Sequence, residues 1–244
     1  MPRHLWALAL SLAACSSTEE APESHGAVWP LVYSQDFAEG ESLEEFSFSD
    51  HRAWRWAPPT KGVPGSLELA GESFYRAKHR SPHCIALLHG RVYQSFILEA
   101  DLMQTGAEYG HRDLCLFFGF QNPETFHYVH MASTPDDRAH NIFIVDGAPR
   151  VKTSPVSARG VEWGTGVWHK VRLERDVEAG TTKVYFDDMS KPVMLAEDQR
   201  FGIGYLGFGS YNDTGMVAKA RVWAPKAQTV TVKRTGTLFN PDKP

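Results

Sequence analysis

Hydrophobic and polar positions alternate with period two along most of this chain, and long stretches with helical period are missing. Residues 96–104 put Leu98, Ala100 and Leu102 on one face and Glu99, Asp101 and Met103 on the other, which predicts a strand with one buried side. Residues 114–120 are apolar on both faces, as expected of a strand central to a sandwich. Further strands are predicted over 126–131, 141–145, 169–175, 182–186, 205–209 and 217–223. Turn signals separate them: Asn122-Pro123, Asp146-Gly147, Ala179-Gly180 and the run Asn212 to Gly215. Only the stretch around 42–46 reads as a helical turn. Short strands with turns between them predict an all-β fold, an antiparallel β-sandwich or jelly roll over residues 31–224. A tail over 225–244 follows, in which Thr229-Val-Thr-Val-Lys fits one further edge strand.

Composition removes whole classes of function. With 244 residues, 42% hydrophobic, 22% charged and a net charge of −4, the chain is neither disordered, nor collagen-like, nor a multi-span membrane protein. No basic excess is available to neutralise phosphates, so no nucleic-acid partner is expected. No C-x-x-C pair exists, which excludes a structural zinc site of thiolates. Cys84 and Cys115 form either one disulfide or two buried thiols, and the apolar run around Cys115 favours thiols. A monomer is expected.

The first residues carry a separate signal. Met1-Pro-Arg-His is a short basic start, and residues 5–14 form an apolar run too short to span a bilayer. Leu12-Ala13-Ala14-Cys15 resembles the lipobox of bacterial lipoproteins, in which the peptide is cut before the Cys and the sulfur is acylated. The resemblance implies a signal peptide over 1–14, lipidation of Cys15, and a flexible Ser/Glu/Ala/Pro tether over 15–30. It also implies a membrane partner through the lipid and a bacterial cell-envelope location, in the periplasm or at the outer membrane. An ordinary signal peptide with an incidental Cys is the other reading.

The back half resembles a known superfamily. Gly166-Val-Trp168-His169-Lys-Val171-Arg-Leu173-Glu-Arg, Lys183-Val-Tyr185-Phe-Asp187-Asp188, Gly204-Tyr-Leu-Gly207-Phe-Gly209-Ser210 and Ala220-Arg-Val222-Trp223 are similar to concanavalin A-like sandwiches. That superfamily takes in laminin-G-like modules, legume-type lectins, bacterial glucanases, alginate-lyase-type enzymes and 3-keto-disaccharide hydrolase-type domains. The resemblance implies a concanavalin A-like jelly roll that engages carbohydrate on a concave sheet face. Trp168, Val171, Leu173 and Tyr185 are then expected in the core, with Lys170, Arg172 and Glu174 solvated. The E-x-D-x-x-E stretch of the glucanases and the R-x-E-L-R strand of the alginate lyases are both missing.

Candidate chemistry gathers at two places. Residues 104–113 set Gln104, Glu108, Tyr109, His111, Arg112 and Asp113 immediately before the most apolar strand. Arg112 could fork onto a sugar carboxylate or sulfate, with Asp113 and Gln104 in support, while His111, Glu108 or Tyr109 moves a proton. A buried ion network that pins the loop, Arg112 with Asp113 or Glu108, is the structural alternative. In strand 126–131, period two places Tyr128 and His130 on one face and His127, Val129 and Met131 on the other. His127 and His130 therefore cannot chelate one metal from this strand. Tyr128 and His130 would face the ligand surface, near the substrate-binding candidates His140 and Asn141. Trp54, and with it Trp29 and Trp56, is read as core rather than as a sugar-stacking platform. Asp36 and Asp213 suit a structural calcium or, more simply, turn capping; no cofactor is required.

Two functions follow as expectations. The first is an exported lipoprotein that cleaves a polysaccharide or modified disaccharide, a glycoside hydrolase or polysaccharide lyase, using His111, His130, Tyr109, Tyr128 or Glu108. The second is a non-catalytic, lectin-like surface module. An acidic or oxidised saccharide is the expected ligand, because arginine grips such groups in a bidentate way.

Overall fold

A computed structural model describes residues 29–155, 157, 159–232 and 238–239. The signal peptide, Cys15 and all of the tether but residues 29 and 30 lie outside the described residues. The first strands are β1 (Leu31–Gln35), β2 (Phe46–Phe48), β3 (Trp54–Ala57), β4 (Ser66–Leu69), β5 (Cys84–Leu88) and β6 (Arg91–Tyr93). The long central ones are β7 (Phe96–Gln104), β8 (Leu114–Asn122), β9 (Thr125–Met131) and β10 (Asn141–Asp146). After the short β11 (Val151–Lys152) come β12 (Trp168–Asp176), β13 (Thr181–Phe186) and β14 (Met194–Glu197). The last strands among the described residues are β15 (Tyr205–Ser210), β16 (Gly215–Trp223) and β17 (Thr229–Thr231). Among the described residues helix is limited to short 3-10 turns, the longest at Gly40–Glu45.

Two antiparallel sheets face each other. One runs β14-β13-β12-β7-β16-β4-β3, with β1 pairing the second half of β16. The other runs β11-β10-β9-β8-β15-β5-β2. A separate ribbon joins β17 to β6, the edge pairing that the Thr229 run suggested. This is the all-β sandwich with jelly-roll character that the alternating pattern predicts.

Between the sheets lies the main core: Leu98, Ala100 and Leu102 of β7, Leu116 and Phe118 of β8, Val129 and Met131 of β9, and Val171 and Leu173 of β12. Trp54 packs into this core from edge strand β3, with Trp56 beside it. Parity corrects two other assignments. Along β12 the inward set is His169, Val171, Leu173 and Arg175, so Trp168 is only half-buried on the outer face; Trp163 of the preceding loop packs into the core instead. Tyr185 stands opposite Arg172 and shares that outer face, leaving Val184 as the core residue of β13. Glu174, expected in solvent, is 5% exposed and meets Arg172 and the Tyr185 hydroxyl. Cross-strand pairs Arg172–Glu99 and Lys219–Asp101 complete a charged ladder over this outer surface.

The seven-stranded sheet has a second buried layer on its far side. Cys115, Phe117, Phe120, Phe126, Tyr128, Phe143 and Val145 form it, covered by Tyr75 and Phe239. Gly119 makes this layer possible: its φ of +56° bulges β8 and turns Phe117 and Phe120 to the same side. Cys84 and Cys115 are free and buried on opposite faces of the sheet.

Candidate functional site

The aromatic layer opens at one end into a pocket of about 170 Å³, lined by Arg80, Tyr109, His111, Asp113, His130, Arg138, Arg150 and Tyr211. Strand register explains its floor. His130 stands opposite Cys115 on one side and Asn141 on the other, and Tyr128 opposite Phe117 and Phe143, so these side chains share one face. His130 and Tyr128 thus sit where period two put them, and His127 points into the core. There the His127 ring stacks on Phe118 at 4.8 Å, with Nε2 3.3 Å from Asp198.

Arg150 is the organising side chain. Its guanidinium lies 4.2 Å above the Phe143 ring and 5.1 Å from the Tyr211 ring. It donates to the Tyr128 hydroxyl at 2.6 Å and to the Arg138 carbonyl at 2.7 Å. The Tyr128 and Tyr211 hydroxyls share a hydrogen bond of 2.9 Å. Burial pushes the Tyr128 phenol well above its ordinary pKa. Burial and the Arg150 charge push His130 down to about 3, so its imidazole is neutral.

The loop 104–113 divides between this pocket and its surroundings. Asp113 is 1% exposed and accepts from the Cys115 thiol at 2.8 Å, the Ser210 hydroxyl at 3.0 Å and the Tyr211 amide at 3.3 Å. Desolvation nevertheless pushes its carboxyl up to about 8. Tyr109, 54% exposed, donates to Asp213 at 2.8 Å, and burial together with that bond raises its phenol. His111 pairs with Asp136 at 2.8 Å on the rim.

Arg112 does not face the pocket. Its guanidinium is buried and donates to the carbonyls of Gly106 and Gly164, at 2.7 Å each, and to the Thr165 hydroxyl at 2.8 Å. Of the two partners in the ion-network alternative, Glu108 pairs with Arg112 at 3.6 Å from a largely exposed position, while the close hydrogen bonds go to two main-chain oxygens and the Thr165 hydroxyl. Glu108 lines a neighbouring hollow with Glu162 and Trp163, and Tyr109 is the wall between the two.

The remaining candidates lie outside the lining of this pocket. Gln104 is fully buried at the end of β7, outside the pocket lining. His140 holds a φ of +53° and accepts the Ala132 amide on Nδ1, while burial lowers its pKa to about 4. Asn141 donates to the carbonyls of Asp136 and Ala139 and so fixes the 136–139 loop beside His130. Asp36 lies 3.6 Å from Arg221, and Asp213 is taken by Tyr109 and the Asp113 amide, so the two carboxylates serve different partners. Among the described residues no group of three or more His, Cys, Asp or Glu is placed to hold a metal.

Arg80, Arg138, Arg150 and Tyr211 were not singled out in the sequence. Arg150 follows the Asp146-Gly147 turn, and β11 pairs Lys152 with Phe143, which puts residues 150 and 152 on the Phe143 face. A two-residue strand is too short to read by periodicity.

Comparison of the sequence with protein families and with curated proteins finds no match. Solved structures do match in fold. The carbohydrate-binding module CBM66 from Bacillus subtilis superposes with a TM-score of 0.52 at 14% identity, over 74% of this chain and 96% of that one. A Bacillus subtilis protein of unknown function with a galectin-like fold gives 0.52 at 12% identity, over 83% and 97%. The carbohydrate recognition domain of Emp46p gives 0.55 at 11% identity, over 82% and 99%. The fold is the two-sheet antiparallel β-sandwich that these proteins share, a jelly roll.

Proposed function

We propose that this chain is a carbohydrate-binding domain, carried on a bacterial cell envelope by a lipid on Cys15, that takes an anionic saccharide into the Arg150 pocket. Three arginines lining one pocket carry this reading. Arg80, Arg138 and Arg150 line it together, and none forms an ion pair with a carboxylate of the described residues. Phe143, Tyr128 and Tyr211 hold Arg150 in place by ring contacts and a hydrogen bond, so little ordering is left for the ligand to impose. Two proteins with this fold are named for carbohydrate binding, which supports the ligand class.

Binding is favoured over cleavage by the proton-transfer groups. Glycosidases use two carboxyl groups that flank the scissile bond. Among the described residues Asp113 is the sole carboxylate lining this pocket, and three donors occupy it. His130 is too weak a base near neutrality, and the phenols of Tyr109 and Tyr128 are too weak as acids. Cleavage keeps one supporting observation: burial holds the Asp113 proton up to about pH 8, as a general acid requires.

Titration of acidic and neutral oligosaccharides against the wild type and Arg150→Met, beside a product assay, tests both readings. Acidic glycans should bind the wild type and lose more than about tenfold in affinity in the variant, with no product formed. Unchanged affinity in Arg150→Met would remove the proposed site. Product lost in Asp113→Asn would make the protein an enzyme.

A further inference from the structure

The Arg150 pocket is rich in hydrogen-bond donors and contains one acceptor that nothing in the fold uses. His130 is 4% exposed and lines the pocket beside Arg150 and Tyr211. Its Nε2 is 3.4 Å from the main-chain oxygen of His111, which can only accept. That oxygen places the ring hydrogen on Nε2 and leaves Nδ1 as a bare lone pair. Nδ1 is buried with no partner among the described residues, where buried polar atoms as a rule have one.

We infer that the pocket is built for a hydroxy acid of the uronic type, whose carboxylate meets the arginines while a hydroxyl on a nearby carbon donates to His130 Nδ1. This rests on the carbohydrate-binding reading above. Each part of the pair excludes a different competitor. A neutral sugar could satisfy Nδ1 but would bring no counter-charge to the half-buried Arg150 guanidinium. Free inorganic sulfate could satisfy the arginines, but its oxygens carry no hydrogen to give to Nδ1. A planar carboxylate matches the arginine fork, and the sugar ring that bears it also carries hydroxyls. Since burial and Arg150 keep the imidazole neutral down to about pH 3, the lone pair persists where a sugar carboxylate is ionised. At about 170 Å³, below the ~300–1,000 Å³ of drug-sized pockets, the pocket has room for one sugar unit, with the rest of the chain outside.

An array of oligogalacturonates, their methyl esters, 3-deoxy uronates and sulfated neutral oligosaccharides would test this against the wild type, His130→Phe and His130→Gln. Thermal melts of all three proteins would confirm folding. Free uronates should bind best, with at least about a tenfold loss on methyl esterification and a similar loss when the contacting hydroxyl is removed. His130→Phe keeps the ring and removes the acceptor, so it should reduce uronate affinity and abolish the difference between hydroxy and deoxy ligands. His130→Gln, which can both donate and accept, should restore part of it. Should either His variant fail to fold, the ester and deoxy ligands still decide the matter on the wild type. Preference for sulfated glycans, or equal binding of acid and ester, would overturn the hydroxy-acid assignment and leave carbohydrate binding standing. Binding to no glycan would remove both.

Discussion

Two arginines divide the work expected of one. Arg112 drew attention because of its company in residues 104–113, yet its guanidinium closes that loop onto Gly106, Gly164 and Thr165. Arg150 stands in an ordinary turn segment of the sequence and becomes the pocket's centre only through the register of a hairpin. Residue type announced the chemistry, but only the pairing showed where each guanidinium points. Arg112→Met should therefore cost about 2–4 kcal/mol of stability, because two buried carbonyls lose their donor. Affinity per folded molecule should stay within about twofold of wild type. Melts and saccharide titration on one preparation would check this; an intact melting temperature with lost binding would return Arg112 to the ligand site. His130 and Tyr128 were easier to place, since their face follows from parity once β9 is recognised.

Strands were the most legible level, because alternation is a direct consequence of one face meeting the core and the other solvent. β7 runs over Phe96–Gln104 as the sequence pattern predicts, and the other long strands differ from it by a residue or two at their ends. Trp168 and Tyr185, which the resemblance places in the core, stand off the alternation that Val171 and Leu173 define and lie on the outer face. The apolar run 114–120 was legible as central, but the bulge at Gly119 that gives the far side its own aromatic layer has no periodic signature. Leu173 is fully buried between Leu98 and Val184 on neighbouring strands. Leu173→Ala should cost ~2–5 kcal/mol, whereas Lys170→Ala on the exposed parity should stay within about 0.5 kcal/mol. Equal shifts in chemical denaturation would contradict this register.

At the scale of the molecule, attachment and pH response are separate matters. Lipid on Cys15 would hold a sandwich in which no helix of the described residues is long and apolar enough to cross a membrane. Cys15→Ala should then move the folded protein from the membrane fraction to the soluble one; a variant still found with membranes would dismiss the anchor. The pH response follows from buried histidines. Burial lowers His127, His130 and His140 from 6.5 to about 4, 3 and 4. Between those values and 6.5 the unfolded chain binds more protons than the folded one, so stability is lost as pH falls through that window. Asp113 has the opposite sign: raised from 3.8 to about 8, it holds a proton in the folded state that the unfolded chain releases, and its contribution is lost as pH rises towards 8. Three histidines outweigh one carboxyl below 6.5, and Asp113 acts alone above it. The melting temperature should therefore climb from pH 4 to about 6.5 and then level or decline slightly up to pH 8. His127→Phe keeps a ring against Phe118 and should flatten the acidic limb by roughly a half, since Asp113 already offsets one of the three histidines, while Asp113→Asn should remove the alkaline decline. Melting curves at half-unit pH steps would show it. An acidic limb with the same slope in wild type and His127→Phe would mean that the buried imidazoles do not set the acid stability of this fold.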